Sequence, residues 1–401
     1  MNQAEISKLT AIYHRQLAVV DMSFKRYLHT TINWNARIVG IKGARGAGKT
    51  TLLLQHIKET HHNVDEALWV SLDNLWFATH DIDELVDYLY MRGVNTLYFD
   101  EIHKLENWAT HLKNYYDSYP DLKIVYTGSS MLEIDNSKAD LSRRQTLYTL
   151  EGMSFREYLE YEHILLTPPI PLDEILHNHV KYASDICAQT KILQHFEQYL
   201  RKGVYPFYKS AGPDFYTQLA TIVNLAIESD MPAVSEVSYA TIEKTKKLLM
   251  IIAQNVPFEP TITKLNSALD TTRDSCLKML YTLDRANIIN VVTRELKNYK
   301  HLVSPEKIYL NDTNMMHALG TSTEVGTIRE TFFANQLAEQ CTLQTTKKGD
   351  FVVGGKYRFE VGGPNKSFNQ IKDLPDSYLA IDGIETGYGN RIPLYLFGFL
   401  Y

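Results

Sequence analysis

The sequence predicts an α/β fold built on a parallel sheet over residues 36–151, then a helical stretch and a small α+β unit. Three observations carry this expectation. Short apolar runs alternate with helical stretches through the first region, and a glycine-rich loop ending Gly48-Lys49-Thr50 joins the first run to the first helix. Strand-like alternation is scarce from about 172 to 300 and returns only after Gly326. Apolar runs too short for a helix fit strands buried on both faces. Strands that alternate with helices are joined by right-handed crossovers and lie parallel.

The elements follow in order. Residues 1–35 read as a helical lead-in. Arg37–Ile41, Ala67–Leu72, Thr96–Phe99, Ile124–Tyr126 and Thr146–Leu150 read as strands, with helices at Thr51–Glu59, Ile82–Arg92 and Trp108–Tyr116 between them. Past residue 151 the texture changes. Met153–Leu166 is helical and aromatic, and Thr167-Pro168-Pro169-Ile170-Pro171 breaks it. Residues 152–240 form a helical segment.

Residues 241–300 read as winged-helix-like. Ile262, Leu265 and Leu269 mark one helix, Asp270-Thr271-Thr272 a turn, and Cys276, Leu277, Leu280 and Leu283 a second helix, with Ile288–Arg294 as a wing strand. Two packed helices joined by a short turn also occur in plain structural bundles. From Thr241 to Arg285, seven basic residues (Lys244, Lys246, Lys247, Lys264, Arg273, Lys278, Arg285) stand against five acidic ones (Glu243, Glu259, Asp270, Asp274, Asp284). A net charge of +2 is thin for a DNA reader, so DNA and a protein partner both stand as ligands of this segment. Residues 301–401 close the chain with a helix at Ile328–Gln340 and strands at Phe351–Val353, Tyr357–Val361, Tyr378–Ile381 and Leu394–Phe399.

Length and composition exclude several classes. At about 150 residues per domain, 401 residues make two to three domains. With 44% hydrophobic and 22% charged residues the chain can bury a core without a disulfide or metal staple. Lys plus Arg is 41 against 47 Asp plus Glu, a formal charge of −6, which argues against a whole surface made for nucleic acid or anionic membrane. Cys187, Cys276 and Cys341 are far apart and form no CxxC pair, so neither a disulfide framework nor a structural zinc site is expected. The N-terminus lacks a signal-peptide pattern, and no run approaches the roughly 18 apolar residues of a membrane span. The expectation is a cytoplasmic protein.

The most informative segment is Gly43-Ala44-Arg45-Gly46-Ala47-Gly48-Lys49-Thr50-Thr51, a match to GxxxxGK[ST]. Its glycines let the backbone amides converge on a phosphate, and the helix that follows adds its positive dipole end. All nine residues are nucleotide-binding candidates. Lys49 would bridge the β- and γ-phosphates, and the Thr50 hydroxyl would ligate magnesium. Leu97-Tyr98-Phe99-Asp100-Glu101 is an apolar strand ending in two carboxylates. A buried strand would not end so without a cation or donors nearby. Asp100 is placed to hold the magnesium and Glu101 to polarise the attacking water.

Ile124–Ser130 is a strand running into small hydroxyl residues. Ser129 is the preferred γ-phosphate sensor, with Thr127 or Ser130 as substitutes, and an N-capped turn is the plain alternative. In Ser142-Arg143-Arg144 an arginine suits a transferring phosphate because it is always charged and forked. Arg144 would act within the chain or across a subunit contact; a solvated basic turn is the alternative.

GIKGARGAGKTTLLLQHIK, LYFDEIHKLENWATHLKNYYD, IVYTGSS and ADLSRRQTLYTLEGMSFREYL resemble the prokaryotic AAA-type ATPases that carry a C-terminal domain of unknown function. FEQYLRKGVYPFY, KIYLNDTNMM and GTIRETFFANQL are similar to landmarks of that C-terminal region, so the resemblance covers about residues 20–365. It implies a P-loop NTPase core of AAA type that takes ATP with magnesium and hydrolyses it, coupled to the C-terminal region. Its motif positions fall on Lys49, Thr50, Asp100, Glu101, Ser129 and Arg144. A nucleotide-gated DNA- or protein-binding module without turnover is the alternative, and a homo-oligomer is a further expectation.

The resemblance also implies a terminal unit similar to PD-(D/E)xK nucleases. Glu330, Asp350 and Glu360 match its acids in order and spacing, but Gly362 stands where its lysine belongs. That departure removes the cationic partner unless Lys366 moves in, so the expectation is an inactive scaffold whose acids persist as turn and surface residues. A DNA endonuclease is the least favoured reading.

Overall fold

The computed structural model describes residues 3–61, 66–129, 134, 141, 143–234, 237–294, 305–320 and 324–401. Ser130 and Ser142, both named above, lie outside these. The chain divides into two compact units, residues 1–151 and 152–401.

The first unit is built on five strands: β1 (Ile38–Lys42), β2 (Ala67–Ser71), β3 (Thr96–Asp100), β4 (Lys123–Gly128) and β5 (Thr146–Thr149). Every pairing is parallel, in the order β2-β3-β4-β1-β5. Strands β1 and β3 are buried along their whole length, which is why they read as unbroken apolar runs. Helices α1 (Gln3–Val19), α2 (Lys49–Thr60), α3 (Ile82–Tyr90) and α4 (Trp108–Ser118) flank the sheet.

Helix α3 shows why these segments are helical. Asp81 caps it by accepting from the amides of Asp83 and Glu84, and Ile82, Leu85, Val86 and Leu89 form one buried face. The lead-in belongs to this core, since α1 buries Ile6, Leu9 and Tyr13. Inside β1, Gly40 is required by its neighbour, because a Cβ there would fall 2.5 Å from the Tyr126 ring.

The second unit opens with a capping box: Ser154 accepts from the Glu157 amide at 3.2 Å, and Glu157 returns the bond to the Ser154 amide at 3.1 Å. Helices follow at Leu172–Cys187, Ile192–Lys202, Phe215–Leu225 and Tyr239–Gln254. Ile262–Leu269 and Arg273–Arg285 are the two helices expected either side of Asp270-Thr271-Thr272, with Asp270 in the left-handed region and Thr272 capping the second. Seven strands complete the unit: β6 (Ile289–Arg294), β7 (Lys307–Leu310), β8 (Leu343–Thr345), β9 (Phe351–Val353), β10 (Tyr357–Gly362), β11 (Ser377–Ile381) and β12 (Arg391–Pro393). Their order is β12-β11-β10-β9-β8-β6-β7.

Strand β6, read as a wing, pairs antiparallel with β7 as a wing hairpin would, and also parallel with β8, which joins it to the terminal sheet. One element differs from expectation. Leu394–Phe399 is a 3-10 helix, and the edge strand is β12 just before it. Every residue of that run is buried, and an apolar run without periodicity does not distinguish a strand from a buried helical turn. No helix among the described residues is long and apolar enough to cross a membrane.

Candidate nucleotide site

Strand β1 ends at Lys42, and the chain turns through Gly43–Gly48 into α2. Gly46 (φ 81°) and Gly48 (φ 97°) hold left-handed backbone, which only glycine adopts without strain. Gly43 is needed for space, because a Cβ there would stand 2.3 Å from the Leu150 carbonyl oxygen. With Gly48 at the N-cap, no side chain caps α2, so its first amides remain available to an anion. Lys49 is buried, and its ammonium folds back over the loop to donate to the Gly43 carbonyl at 2.8 Å and the Ala44 carbonyl at 3.0 Å.

Strand order brings the acids to this loop, because β4 separates β1 from β3 and all three end at the same edge. Asp100 is buried at the end of β3. One of its oxygens accepts from the Thr50 hydroxyl at 2.7 Å and the other from the Thr127 hydroxyl. Burial pushes the Asp100 carboxyl up, and the two hydroxyls oppose that. Thr50 Oγ1 and Asp100 Oδ2 are neighbouring hard oxygen donors, a set that fits magnesium with water and phosphate.

Glu101 turns the chain with left-handed backbone (φ 56°), and its amide donates to Thr127 Oγ1 at 3.2 Å. Its carboxylate accepts from Ser129 Oγ at 2.7 Å and lies 3.4 Å from His103 Nδ1. Burial alone would raise the Glu101 carboxyl. Lys49, the Ser129 hydroxyl, His103 and Arg45 outweigh it and hold the carboxyl below its usual range. Burial pushes the His103 imidazole down to about 4, so at neutral pH it is an uncharged neighbour of Glu101.

The structure therefore gathers Lys49, Thr50, Asp100, Glu101 and Ser129 at one edge of the sheet. Thr127, named as a substitute sensor, instead holds Asp100. Arg144 is not brought there. Thr146 pairs with Val39 at the start of β1, so Arg144 lies at the sheet edge opposite the loop. It forks onto Asp117 at 3.1 and 3.2 Å beside the Tyr116 ring.

Two residues here escaped sequence reasoning. His103 sits two positions past Glu101, and the signal was a histidine on the acid-bearing turn. Arg26, in the lead-in, is buried with one guanidinium nitrogen donating to the Ala47 carbonyl of the loop and another to Glu151 O at 2.8 Å. No motif marks it.

The family model described as "AAA domain" matches residues 35–159. A second family model, "Domain of unknown function (DUF8612)", matches residues 193–325. An uncharacterized protein of Methanocaldococcus jannaschii is 27% identical over 394 residues, covering 88% of this chain and 81% of the relative. Among solved structures, the Walker-type ATPase of Pyrococcus abyssi is similar at 15% identity with a TM-score of 0.41, covering 74% of this chain and 95% of that one. AMPPCP-bound DnaA from Aquifex aeolicus is similar at 13% identity with a TM-score of 0.27, covering 71% and 89%. The five-stranded order of the first unit, with a strand between the loop strand and the acid strand, is that of a P-loop NTPase.

Proposed function

We infer that the protein binds ATP with magnesium at Gly43–Thr51 and hydrolyses it, and that nucleotide state acts on the C-terminal region. The observation that supports this best is the paired arrangement at the end of β3. Asp100 is bonded to the loop hydroxyl of Thr50, and Glu101 next to it is held by Ser129. A triphosphate on the loop amides would draw the Lys49 ammonium off the Gly43 and Ala44 carbonyls onto the β- and γ-phosphates. Thr50 and Asp100 would hold the magnesium, which supplies charge neutralisation for the phosphates. Glu101, kept ionised, would orient the attacking water, and Ser129 would fix the Glu101 rotamer and sense the γ-phosphate.

Arg144 would serve only from a second copy of this chain, where a forked cation at the subunit edge could reach a neighbour's γ-phosphate. The helices at Ile262–Leu269 and Arg273–Arg285, with the β6–β7 hairpin after them, support a winged-helix contact to DNA as the output. The experiment is steady-state phosphate release with magnesium and ATP, wild type beside Glu101→Gln, with and without duplex DNA. Turnover that disappears in the variant is the expected result. Turnover unchanged by Glu101→Gln would overturn the assignment, and wild-type binding without turnover would replace it with a nucleotide-gated binding module.

A further inference from the structure

Arg26 is 4% exposed, and its guanidinium reaches two backbone carbonyls, that of Ala47 in the loop and that of Glu151 at 2.8 Å. The segment that carries it is tied to the helix that the loop feeds. Gln55, buried on α2, donates through its side-chain nitrogen to the Asp21 and Phe24 carbonyls, both at 2.7 Å. Lys25 pairs with Glu59 on the same helix. Loop, α2, Gln55, Phe24 and Arg26 thus close a ring that returns to Ala47.

What Arg26 holds in the loop is one peptide plane. Ala47 is fully buried between Gly46 and Gly48, both in left-handed backbone, and its amide donates to the Ala44 carbonyl at 3.2 Å. Glycine adopts either sign of φ, so Gly48 by itself would let the Ala47–Gly48 peptide face either way. In a planar trans peptide the carbonyl of one residue and the amide of the next point in opposite directions. With the Ala47 carbonyl fixed toward Arg26, the Gly48 amide is turned to the opposite side.

We propose that Arg26 is a positioning residue for the phosphate loop, fixing the Ala47–Gly48 peptide so that the Gly48 amide faces the β-phosphate of a bound nucleotide. This rests on the nucleotide reading given above, and it names a residue outside the motif on which that reading depends. A ring of amides gains affinity for an anion when the amides are oriented before the anion arrives. A peptide free to flip would present its carbonyl oxygen to the phosphate instead. Lys49 ties the first half of the loop through the Gly43 and Ala44 carbonyls, and a phosphate competes for it. Arg26 holds the second half from the far side of the peptide, so a phosphate does not compete for its bond.

The test is the affinity of the full-length protein for ADP by isothermal titration calorimetry, with amide hydrogen exchange over residues 43–51 in the nucleotide-free protein. Arg26→Met is expected to weaken ADP binding at least about tenfold, the loss that follows removal of a hydrogen bond from a charged group, and to speed exchange in the loop. Arg26→Lys keeps a buried cation but has one donor nitrogen in place of the fork, and is expected to weaken ADP binding by less. It decides the question if Arg26→Met fails to fold. Tyr27→Phe is the structural control. It removes the bond from the adjacent Tyr27 hydroxyl to the Thr149 carbonyl without touching the loop, and should leave ADP affinity unchanged. ADP affinity equal to wild type in both Arg26 variants, or lowered as much by Tyr27→Phe, would overturn the proposal. Wild type that takes up no ADP would overturn the nucleotide reading itself, and this proposal with it.

Discussion

The two carboxylate sites differ in what holds their charge. In the first unit Asp100 and Glu101 are bonded by the hydroxyls of Thr50, Thr127 and Ser129, while the Lys49 ammonium donates to loop carbonyls and lends its charge to Glu101 from there. In the second unit Glu330, Asp350 and Glu360 are paired with Lys307 and Lys366. A hydroxyl satisfies a carboxylate without neutralising it, so the negative charge stays available to an incoming cation. An ammonium neutralises it within the fold. The first arrangement leaves its acids bonded by hydroxyls beside the glycine-rich loop, and the second pairs its acids with lysines inside the fold.

That contrast can be broken most sharply at Glu101. Glu101→Gln should lower phosphate release by about 10²–10⁴-fold while ATP binding persists, as expected for loss of a group that handles the attacking water. Single-turnover kinetics with a parallel binding assay would separate the two effects.

A pH comparison comes next in size. His56, stacked on Trp34 in the first unit, is pushed by burial, and by His29 and His61, from 6.5 down to about 4. Its folded value lies below its unfolded one, so its contribution is present above pH 6.5 and lost as pH falls toward 4. Asp312, fully buried in the second unit, is pushed by burial from 3.8 up to about 6. Here the folded state binds the extra proton, so stability is gained as pH falls from about 6 toward 4. Hydrogen exchange resolved by unit should therefore show opposite slopes in that window, each worth up to about 3 kcal/mol. Asp312→Asn should flatten the slope of the second unit alone, and parallel slopes in both units would contradict these assignments.

Smaller effects sharpen the picture. Ser129→Ala should reduce kcat about tenfold with little change in nucleotide affinity, the loss of one hydrogen bond to a charged group. A change confined to affinity would make Ser129 a binding residue instead. Ser154→Ala should cost the second unit about 1 kcal/mol through loss of its cap, visible in a denaturant midpoint, and leave phosphate release unchanged.

How far each site was legible follows from its construction. The phosphate loop is contiguous, its glycines are fixed by left-handed backbone and close approach, and its lysine and threonine sit on the first turn of one helix. A local pattern is therefore enough to find it. Glu101 and Ser129 were legible because each ends an apolar strand. The bond of Thr127 to Asp100 was not legible, because it depends on β4 lying beside β3. Arg26 was invisible, since nothing near it in sequence shows that the chain brings it under Ala47. At the terminal sheet the run Leu394–Phe399 misled, because complete burial erases the period that separates strand from helix.

The sequence by itself determined the strand–helix alternation, the glycine-rich loop and the acids at the end of β3. Each rests on chemistry local to a few residues: glycine's backbone freedom, the period of burial, and the cost of ending an apolar strand in charge. Only the tertiary structure decided which partners those groups meet. It set Arg144 at the sheet edge away from its own loop, because parallel pairing of β5 with β1 carries the start of both strands to the same side. It also turned Gly362 from a missing lysine into the space through which Lys366 reaches Glu360. Side-chain volume at one position and charge at another, four residues apart, combine into one ion pair only when the chain is folded.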